Sequence, residues 1–358
     1  MLKIISFNWL LLLPVTALVC LSLLVISSLN REVFSSHLIS LILGLIVFSI
    51  ASLIDWPALK RFSWIFYLLP LLLLLLTFFL GVSSRGAVRW LDLGFTAFQP
   101  SELVKLGLII FLAGYFSQFD RIELPQFLIS ALFLLPGLAL VLFQPDLGSA
   151  LIIFFLWLSL VFTAGLNWRF FVLGALLVLV TLPVGWHLLQ PYQKQRITVF
   201  LEPNRDPLGG GYNVIQSVVA VGSGGLFGYG LGHGPQSHLR FLPEAHTDFI
   251  FASLSEELGF VGSFLTLALL CFLCFQLIRL ARQADSNFAY LVIIGVFALI
   301  FWQCFINIGM NLALLPVTGI TLPLVSFGGS SMITVLAALG IVNNLSRFRR
   351  ENKVKYAL

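Results

Sequence analysis

The sequence predicts an all-α polytopic membrane protein, with about ten transmembrane helices in a single domain over residues 1–358. Two observations carry this prediction. Hydrophobic residues make up 59% of the chain and charged residues only 10%, whereas soluble proteins average about 45–50% and about 25%. Apolar runs of about 20 residues, the length that crosses a bilayer, recur along the chain. The spans should be helices, because a chain in lipid must satisfy its backbone polar groups internally.

The predicted spans are residues 9–29, 38–55, 62–80, 98–118, 125–143, 147–165, 168–189, 249–280, 288–312 and 321–345. The first apolar run lacks a small-residue cleavage site, so we expect a spanning helix rather than a removed signal peptide. Cys271 and Cys274 have the spacing of a redox motif, but they lie within an apolar run and are interpreted as packing residues.

The distribution of Lys and Arg predicts that both termini are cytoplasmic. With that orientation, three basic residues lie in the short outer loops and twelve in cytoplasmic segments. The outer three are Arg31, Arg85 and Arg89; the inner twelve are Lys3, Lys60, Arg61, Arg121, Arg169, Arg279, Arg282, Arg347, Arg349, Arg350, Lys353 and Lys355. The tail at about 346–358 is then a basic segment beside anionic lipid. The net charge of +5 therefore reflects membrane orientation and not nucleic-acid binding.

One connection is long, at about 190–248 between the seventh and eighth spans, and this orientation places it on the outer face of the membrane. Apolar residues along it predict a structured extracytoplasmic loop with one or two interfacial amphipathic segments. Within it, Gly222–Gly234 contains seven glycines in thirteen residues. Two interpretations stay open: a flexible turn region, or backbone packed closely against a ligand or a helix, which glycine permits.

The stretch Gln236–Gly262 changes from polar to apolar at Asp248, which therefore lies where a loop becomes a membrane helix. An acidic residue at the mouth of a helical bundle is a candidate functional residue; a helix cap is the alternative. Below it, Ala252, Ser255 and Gly259 recur at helical spacing and would allow another element to pack closely.

Other polar residues recur at helical spacing in the apolar spans. Gln99, Glu102 and Lys105 lie three residues apart, so Glu102 and Lys105 are placed to pair, either as a structural pair or as part of a site. Asp146 is placed to cap the sixth span. Gln303, Asn307 and Asn311 form a stripe that is typical of bonds between helices. The LPLVSFGGSS stretch opens the tenth span with backbone groups that could bind an anion.

Seven blocks of this sequence resemble the SEDS family, whose members include RodA, FtsW and SpoVE. These blocks are RWLDLG (89–94), QPSELVK (99–105), QPDLGSA (144–150), EPNRDPLGGGYNVIQS (202–217), FLPEAHTDFIFASLSEELG (241–259), NIGM (307–310) and LPLVSFGGSS (322–331). The similarity extends over nearly the whole chain, and the blocks follow one another in the order found in the family. The spacing of Ser223–Gly225 and of Gly234–Ser237 is similar to the RodA branch. The chain departs from the common pattern at Ile320–Thr321 and at Phe327.

The resemblance implies a peptidoglycan glycosyltransferase that polymerises Lipid II on the outer face of a bacterial inner membrane. It implies a class B penicillin-binding protein as transpeptidase partner, with undecaprenyl-linked glycan and membrane lipid as further partners. It also implies that Asp248 is the catalytic carboxylate, and that Glu102 and Lys105 match the family's important charged pair. No tightly bound cofactor is implied, and at most a loosely held divalent cation such as Mg²⁺ or Mn²⁺.

The implied chemistry agrees with the residues. Forming a β-1,4 link from an α-linked diphosphate donor inverts the sugar carbon and needs one base, which a carboxylate can supply. The leaving diphosphate needs cations, for which Arg196, Arg89 and Lys105 are the candidates in that order. The further predicted substrate-binding residues are Glu102, His246, Glu244, Gln99, Gln216 and Ser330, and the predicted supporting residues are Asp146, Glu256 and Asn307. A Lipid II flippase and a non-catalytic scaffold for the transpeptidase are the alternatives.

Overall fold

The computed structural model describes residues 8–84, 87–92, 94, 97–174, 176, 187 and 190–355, and it is a mostly helical polytopic membrane protein. Its helices are α1 Trp9–Leu29, α2 Arg31–Ala51, α3 Trp56–Arg61, α4 Ser63–Leu80, α5 Pro100–Phe116, α6 Leu124–Phe143, α7 Leu147–Thr163, α8 Pro191–Leu201, α9 Tyr212–Ser223, α10 Pro235–His238, α11 Ile250–Ala281, α12 Asn287–Asn311 and α13 Gly329–Lys355. A 3₁₀ turn spans Pro203–Arg205.

Seven helices of the described part of the chain are long and apolar enough to cross a membrane: α1, α2, α4, α6, α11, α12 and the Gly329–Ser346 part of α13. Helices α5 and α7 occupy the predicted fourth and sixth spans with 17 residues each. Residues 168–174 are helical, but most of the predicted span 168–189 lies outside the described residues, as does Arg85. The total of ten spans therefore stays a prediction.

The second span begins earlier than predicted. Helix α2 starts at Arg31 instead of residue 38, because the side chain of Asn30 accepts hydrogen bonds from the backbone N–H groups of Glu32 and Val33 and so caps the helix. Only Asn30 separates α1 from α2. Arg31 consequently lies in a first helical turn and not in an outer loop.

A small sheet, absent from the sequence prediction, connects α4 to α5. Its strands are β1 Val82–Ser84, β2 Ala87–Asp92 and β3 Ala97–Phe98, all antiparallel in the order β1-β2-β3. It carries Arg89 toward the start of α7. The strands were not predicted from the sequence, because they are too short to show a clear alternation of apolar and polar residues.

The predicted single span 249–280 is a broken helix. Gly259 within α11 has φ 66° and ψ −162°, which few residues other than glycine adopt. The glycine-rich loop supplies the hydrogen bonds that the break removes, because Gly225 O accepts from Phe260 N at 2.8 Å while Gly230 N donates to Glu257 O at 2.9 Å. Of the two interpretations of Gly222–Gly234, the structure therefore supports the second, in which this backbone packs closely against a helix.

The last predicted span is wrong at its start, since α13 begins at Gly329 and not at 321. Residues 312–328, here called the 312–328 connection, are non-helical. Leu324 within it is 2% exposed and has a φ of 64°. Side chains from other helices hold this connection, as described below.

Candidate active site

Asp248 lies in the turn that precedes α11, and its backbone is fixed by α12. Its carbonyl oxygen accepts hydrogen bonds from the side-chain amides of Asn307 and Asn311, both at 3.0 Å. Both asparagines are fully buried. The Asp248 carboxylate is half-buried and approaches Gly319, where an added Cβ would lie 3.5 Å from Oδ2. The predicted polar stripe of α12 thus binds backbone of the site as well as a neighbouring helix.

Arg196 projects from α8 to the same region. Burial lowers the pKa of Arg196 below its ordinary value, and the charge of nearby Arg89 lowers it further. Tyr192, Asp146 and Asp248 oppose that shift of the pKa. The structure therefore brings Arg89, Asp146 and Asp248 within electrostatic range of Arg196, although the four residues come from separate parts of the chain.

Arg89 and Asp146 meet at the turn between α6 and α7. Arg89 donates from Nε to Gln144 O at 2.8 Å and from a terminal nitrogen to Pro145 O at 2.5 Å. Asp146 caps α7, as predicted, because its Oδ1 accepts from Ser149 N at 3.1 Å. Its other oxygen accepts from the Gln99 side chain at 3.0 Å.

Ser330 joins the start of α13 to the start of α5. Its hydroxyl oxygen accepts a hydrogen bond from Gln99 N at 2.8 Å. Gln99 in turn binds Asp146, so Ser330 supports the cluster through a second residue. Its predicted contact with substrate stays a prediction.

The 312–328 connection passes through the middle of this region. Val317 O accepts from the Arg196 guanidinium at 3.0 Å, and Ile320 O accepts from Asn307 at 2.6 Å. Thr318 O lies so close to Gly148 that an added Cβ there would approach it to 2.7 Å. Val317, Gly148 and Gly319 were missed in the sequence analysis, since their contribution is a backbone position and not a side chain.

A cavity of about 290 Å³ lies beside Arg196, between α8 and α9. It is lined by Tyr192, Gln195, Arg196, Val199, Phe200, Gly210, Asn213, Val214 and Val317. Its walls are apolar except for one cation, one phenol and two amides. Such a cavity suits an amphiphilic anion.

Three predicted residues flank the site. The Thr247 hydroxyl donates to the Glu244 carboxylate at 3.0 Å. The His246 ring packs against Phe327 at 5.7 Å between centroids. Gln216 lies half-buried on α9, and no contact described by the structure joins it to Asp248 or Arg196. Direct substrate contact by these three stays a prediction.

Glu102 and Lys105 form the predicted pair, with Nζ 2.6 Å from Oε1. The whole of Lys105 is 1% exposed and Glu102 is 6% exposed, so the pair is enclosed within α5 and its neighbours. An enclosed ion pair whose partners neutralise each other favours the structural interpretation. Diphosphate binding by Lys105 stays a prediction.

Glu256 and its neighbour Glu257 are fully buried below the site. The Glu256 carboxylate accepts from Gln236 N at 2.7 Å, Ser237 N at 3.0 Å and the Ser237 hydroxyl at 2.6 Å. Glu257 is bonded to the Ser28 hydroxyl at 2.7 Å and to Gly232 N at 3.1 Å. Glu256 was predicted to support the site; Glu257 was missed, and the paired acidic residues within an apolar helix were a signal for it.

No group of three or more His, Cys, Asp and Glu side chains is placed to bind a metal ion in the ranges that the structure covers. The loosely held divalent cation stays a prediction, and Glu244, His246 and Asp248 are the residues whose sequence proximity suggested it.

Fold and site define a polytopic helical membrane protein with a carboxylate and two arginines gathered at one end of its bundle. The chain belongs to the FtsW/RodA/SpoVE family, described as cell cycle proteins, whose pattern matches residues 2–351. It is 38% identical over 350 residues to the peptidoglycan glycosyltransferase MrdB of Escherichia coli K12, covering 94% of each chain.

Solved structures agree with this membership. A chain of a peptidoglycan synthase complex that coordinates polymerization and crosslinking matches with a TM-score of 0.84 and 36% identity, over 97% of this chain and 99% of that one. The rod shape determining protein RodA of Thermus thermophilus matches with a TM-score of 0.74 and 31% identity, over 96% of this chain and 98% of that one. The predicted family is therefore confirmed.

Proposed function

We propose that this chain is a peptidoglycan glycosyltransferase that polymerises Lipid II at the outer face of a bacterial inner membrane. Relatives named for that activity match it over nearly their whole length. The observation that carries the site assignment is the position of Arg196, which lies within electrostatic range of both Asp248 and Arg89. One carboxylate and two guanidinium groups are what an inverting transfer from a diphosphate donor requires.

Asp248 acts as the general base in this reaction. The 4-hydroxyl oxygen of the acceptor sugar attacks C1 of the donor sugar, opposite the diphosphate, and forms the new C–O bond. Its proton passes to the Asp248 carboxylate. The bond from C1 to the diphosphate oxygen breaks, and the electron pair leaves on the diphosphate. Inversion converts the α-linked donor into a β-1,4-linked product and releases undecaprenyl diphosphate.

Arg196 and Arg89 neutralise the departing diphosphate. Guanidinium groups bind phosphate oxygens through charge-assisted hydrogen bonds. Because burial and Arg89 lower the pKa of Arg196, its charge is less well stabilised before a ligand is bound. An anion arriving beside it relieves both effects, and the cavity between α8 and α9 offers apolar walls for the lipid-linked part.

The proposed partner is a class B penicillin-binding protein that crosslinks the strands. A solved relative belongs to a synthase complex that couples polymerization to crosslinking. The exposed apolar faces of the helices leave room for such a partner as well as for lipid. With both termini in the cytoplasm, the long loop and the site face the compartment in which crosslinking occurs.

The test is polymerisation of purified Lipid II in detergent, with and without the co-purified transpeptidase. Asp248→Asn should lower the rate by about 10²–10⁴-fold, the usual contribution of a general base. Asp285→Asn is the control: Asp285 is an exposed carboxylate in the turn between α11 and α12, and the variant should retain the wild-type rate.

An ordinary rate for Asp248→Asn would contradict the assignment of the base. A detergent solution has no membrane that separates two compartments, so polymer formed there cannot arise from transport of Lipid II. A wild-type chain that makes no polymer in any preparation would favour the flippase or scaffold alternatives.

A further inference from the structure

The turn that leads into α13 is strained and is held by two helices far from it in sequence. Leu324 has a φ of 64°, a backbone conformation that costs roughly 1–3 kcal/mol for a residue other than glycine. The turn is closed locally by Leu322 N, which donates to the Ser326 hydroxyl oxygen at 2.8 Å. Strain of this kind persists only where surrounding contacts fix the backbone.

Ser22 of α1 and His37 of α2 supply such a contact, and both are fully buried. The Ser22 hydroxyl donates to Val325 O at 2.7 Å. Since a serine has one hydroxyl proton, its oxygen must accept from His37 Nε2, 2.9 Å away. His37 is therefore the Nε2–H tautomer and orients the Ser22 proton toward the turn.

The far side of the turn binds the segment that carries Asp248. The Ser326 hydroxyl donates to Thr247 O at 2.7 Å, and Phe327 N donates to His246 O at 2.8 Å. The Phe327 ring lies between two histidine rings, with centroids 6.0 Å from His37 and 5.7 Å from His246. A continuous set of contacts thus runs from His37 to the two residues before Asp248.

We propose that Ser22 and His37 are positioning residues for the Asp248 carboxylate, acting through the turn at 322–327. This inference rests on the proposed function, in which Asp248 is the base. A shift of about 1 Å in a catalytic group can lower a rate about 10²-fold. The pair acts on the backbone that carries Asp248, so we expect a larger effect on kcat than on KM.

The test compares kcat and KM for Lipid II polymerisation in Ser22→Ala, His37→Leu and His37→Gln. Ser22→Ala and His37→Leu should lower kcat about 10–100-fold with KM within about twofold of wild type. His37→Gln keeps an N–H donor near the position of Nε2 and should restore most of kcat. Ser40→Ala is the control: Ser40 is 2% exposed on the same helix, and its hydroxyl donates to Ser36 O of that helix at 2.9 Å.

Wild-type kcat in both Ser22→Ala and His37→Leu would overturn the proposal. It would also be overturned if kcat fell in proportion to the loss of folded protein, or if the Gln variant were no better than the Leu variant. Should His37→Leu fail to fold, Ser22→Ala decides, because it deletes a single oxygen atom. Asp248→Asn is assayed in parallel. Full activity of Asp248→Asn contradicts the assignment of Asp248 as the base. If Asp248→Asn is inactive but Ser22→Ala has the wild-type kcat, the base assignment stands and only the positioning role is contradicted.

Discussion

Two acidic regions at the start of α11 have opposite environments. Asp248 is half-buried and lies within electrostatic range of Arg196, which borders a cavity. Glu256 and Glu257, more than two helical turns further on, are fully buried and bound by fixed N–H and O–H donors. A buried carboxylate surrounded by donors has no capacity left for a substrate, whereas a half-buried one beside cations has. The comparison separates two structural acids from the acid that we propose as the general base.

The largest effect on stability is expected for Glu257→Gln. The amide oxygen can still accept from Gly232 N and face the ring of His238, 2.9 Å from Oε1, but the substitution removes the buried negative charge that these groups and Ser28 now bind. Loss of a buried charged partner typically costs about 3–5 kcal/mol. Thermal unfolding followed by size-exclusion chromatography measures it, and an unchanged midpoint would mean that Glu257 is not a structural acid.

A smaller loss is expected for Gly228→Ala, which disturbs the helix break from the loop side. Gly228 has a φ of 75°, and an added Cβ would lie 2.1 Å from Glu257 O. Stability should fall by roughly 1–3 kcal/mol. Gly222→Ala is the matched control, because the space around it is open and alanine favours the helix; its midpoint should stay equal or rise slightly.

The smallest effect on stability, together with a clear effect on ligand binding, is expected for Arg196→Gln. Burial and Arg89 lower the pKa of Arg196, so removing its charge should change the free energy of unfolding by less than about 1 kcal/mol. Pyrophosphate should raise the unfolding midpoint of the wild type, and it should raise the midpoint of the variant by a smaller amount. Equal stabilisation of both proteins would contradict the role of Arg196 in binding the diphosphate.

The sequence was sufficient for the fold class and the family. Hydropathy located the helices because each span is a long apolar run. Asp248, Arg196, Arg89 and Asp146 were all named before the structure placed them together. Arg196 lies within electrostatic range of Asp248, whereas Lys105 is enclosed in an ion pair; the predicted order of these cations in binding the diphosphate stays a prediction.

The sequence was insufficient to predict features that depend on backbone geometry. The break at Gly259 and the non-helical 312–328 connection lie within apolar stretches that hydropathy treats as helix. Their backbone groups are satisfied by partners distant in sequence, such as Gly225 for Phe260 and Ser22 for Val325. Such long-range pairing leaves no local periodicity, so the small sheet and the role of His37 could not be predicted either.

The most direct test of the distinction between the two acidic regions measures activity and stability on the same purified samples of Asp248→Asn and Glu257→Gln. Asp248→Asn should keep the wild-type unfolding midpoint and lose polymerisation of Lipid II by about 10²-fold or more. Glu257→Gln should unfold at a lower temperature, and its remaining folded fraction should polymerise at a rate much closer to wild type. Normal polymerisation by Asp248→Asn, or lost activity with an unchanged midpoint in Glu257→Gln, would contradict this account.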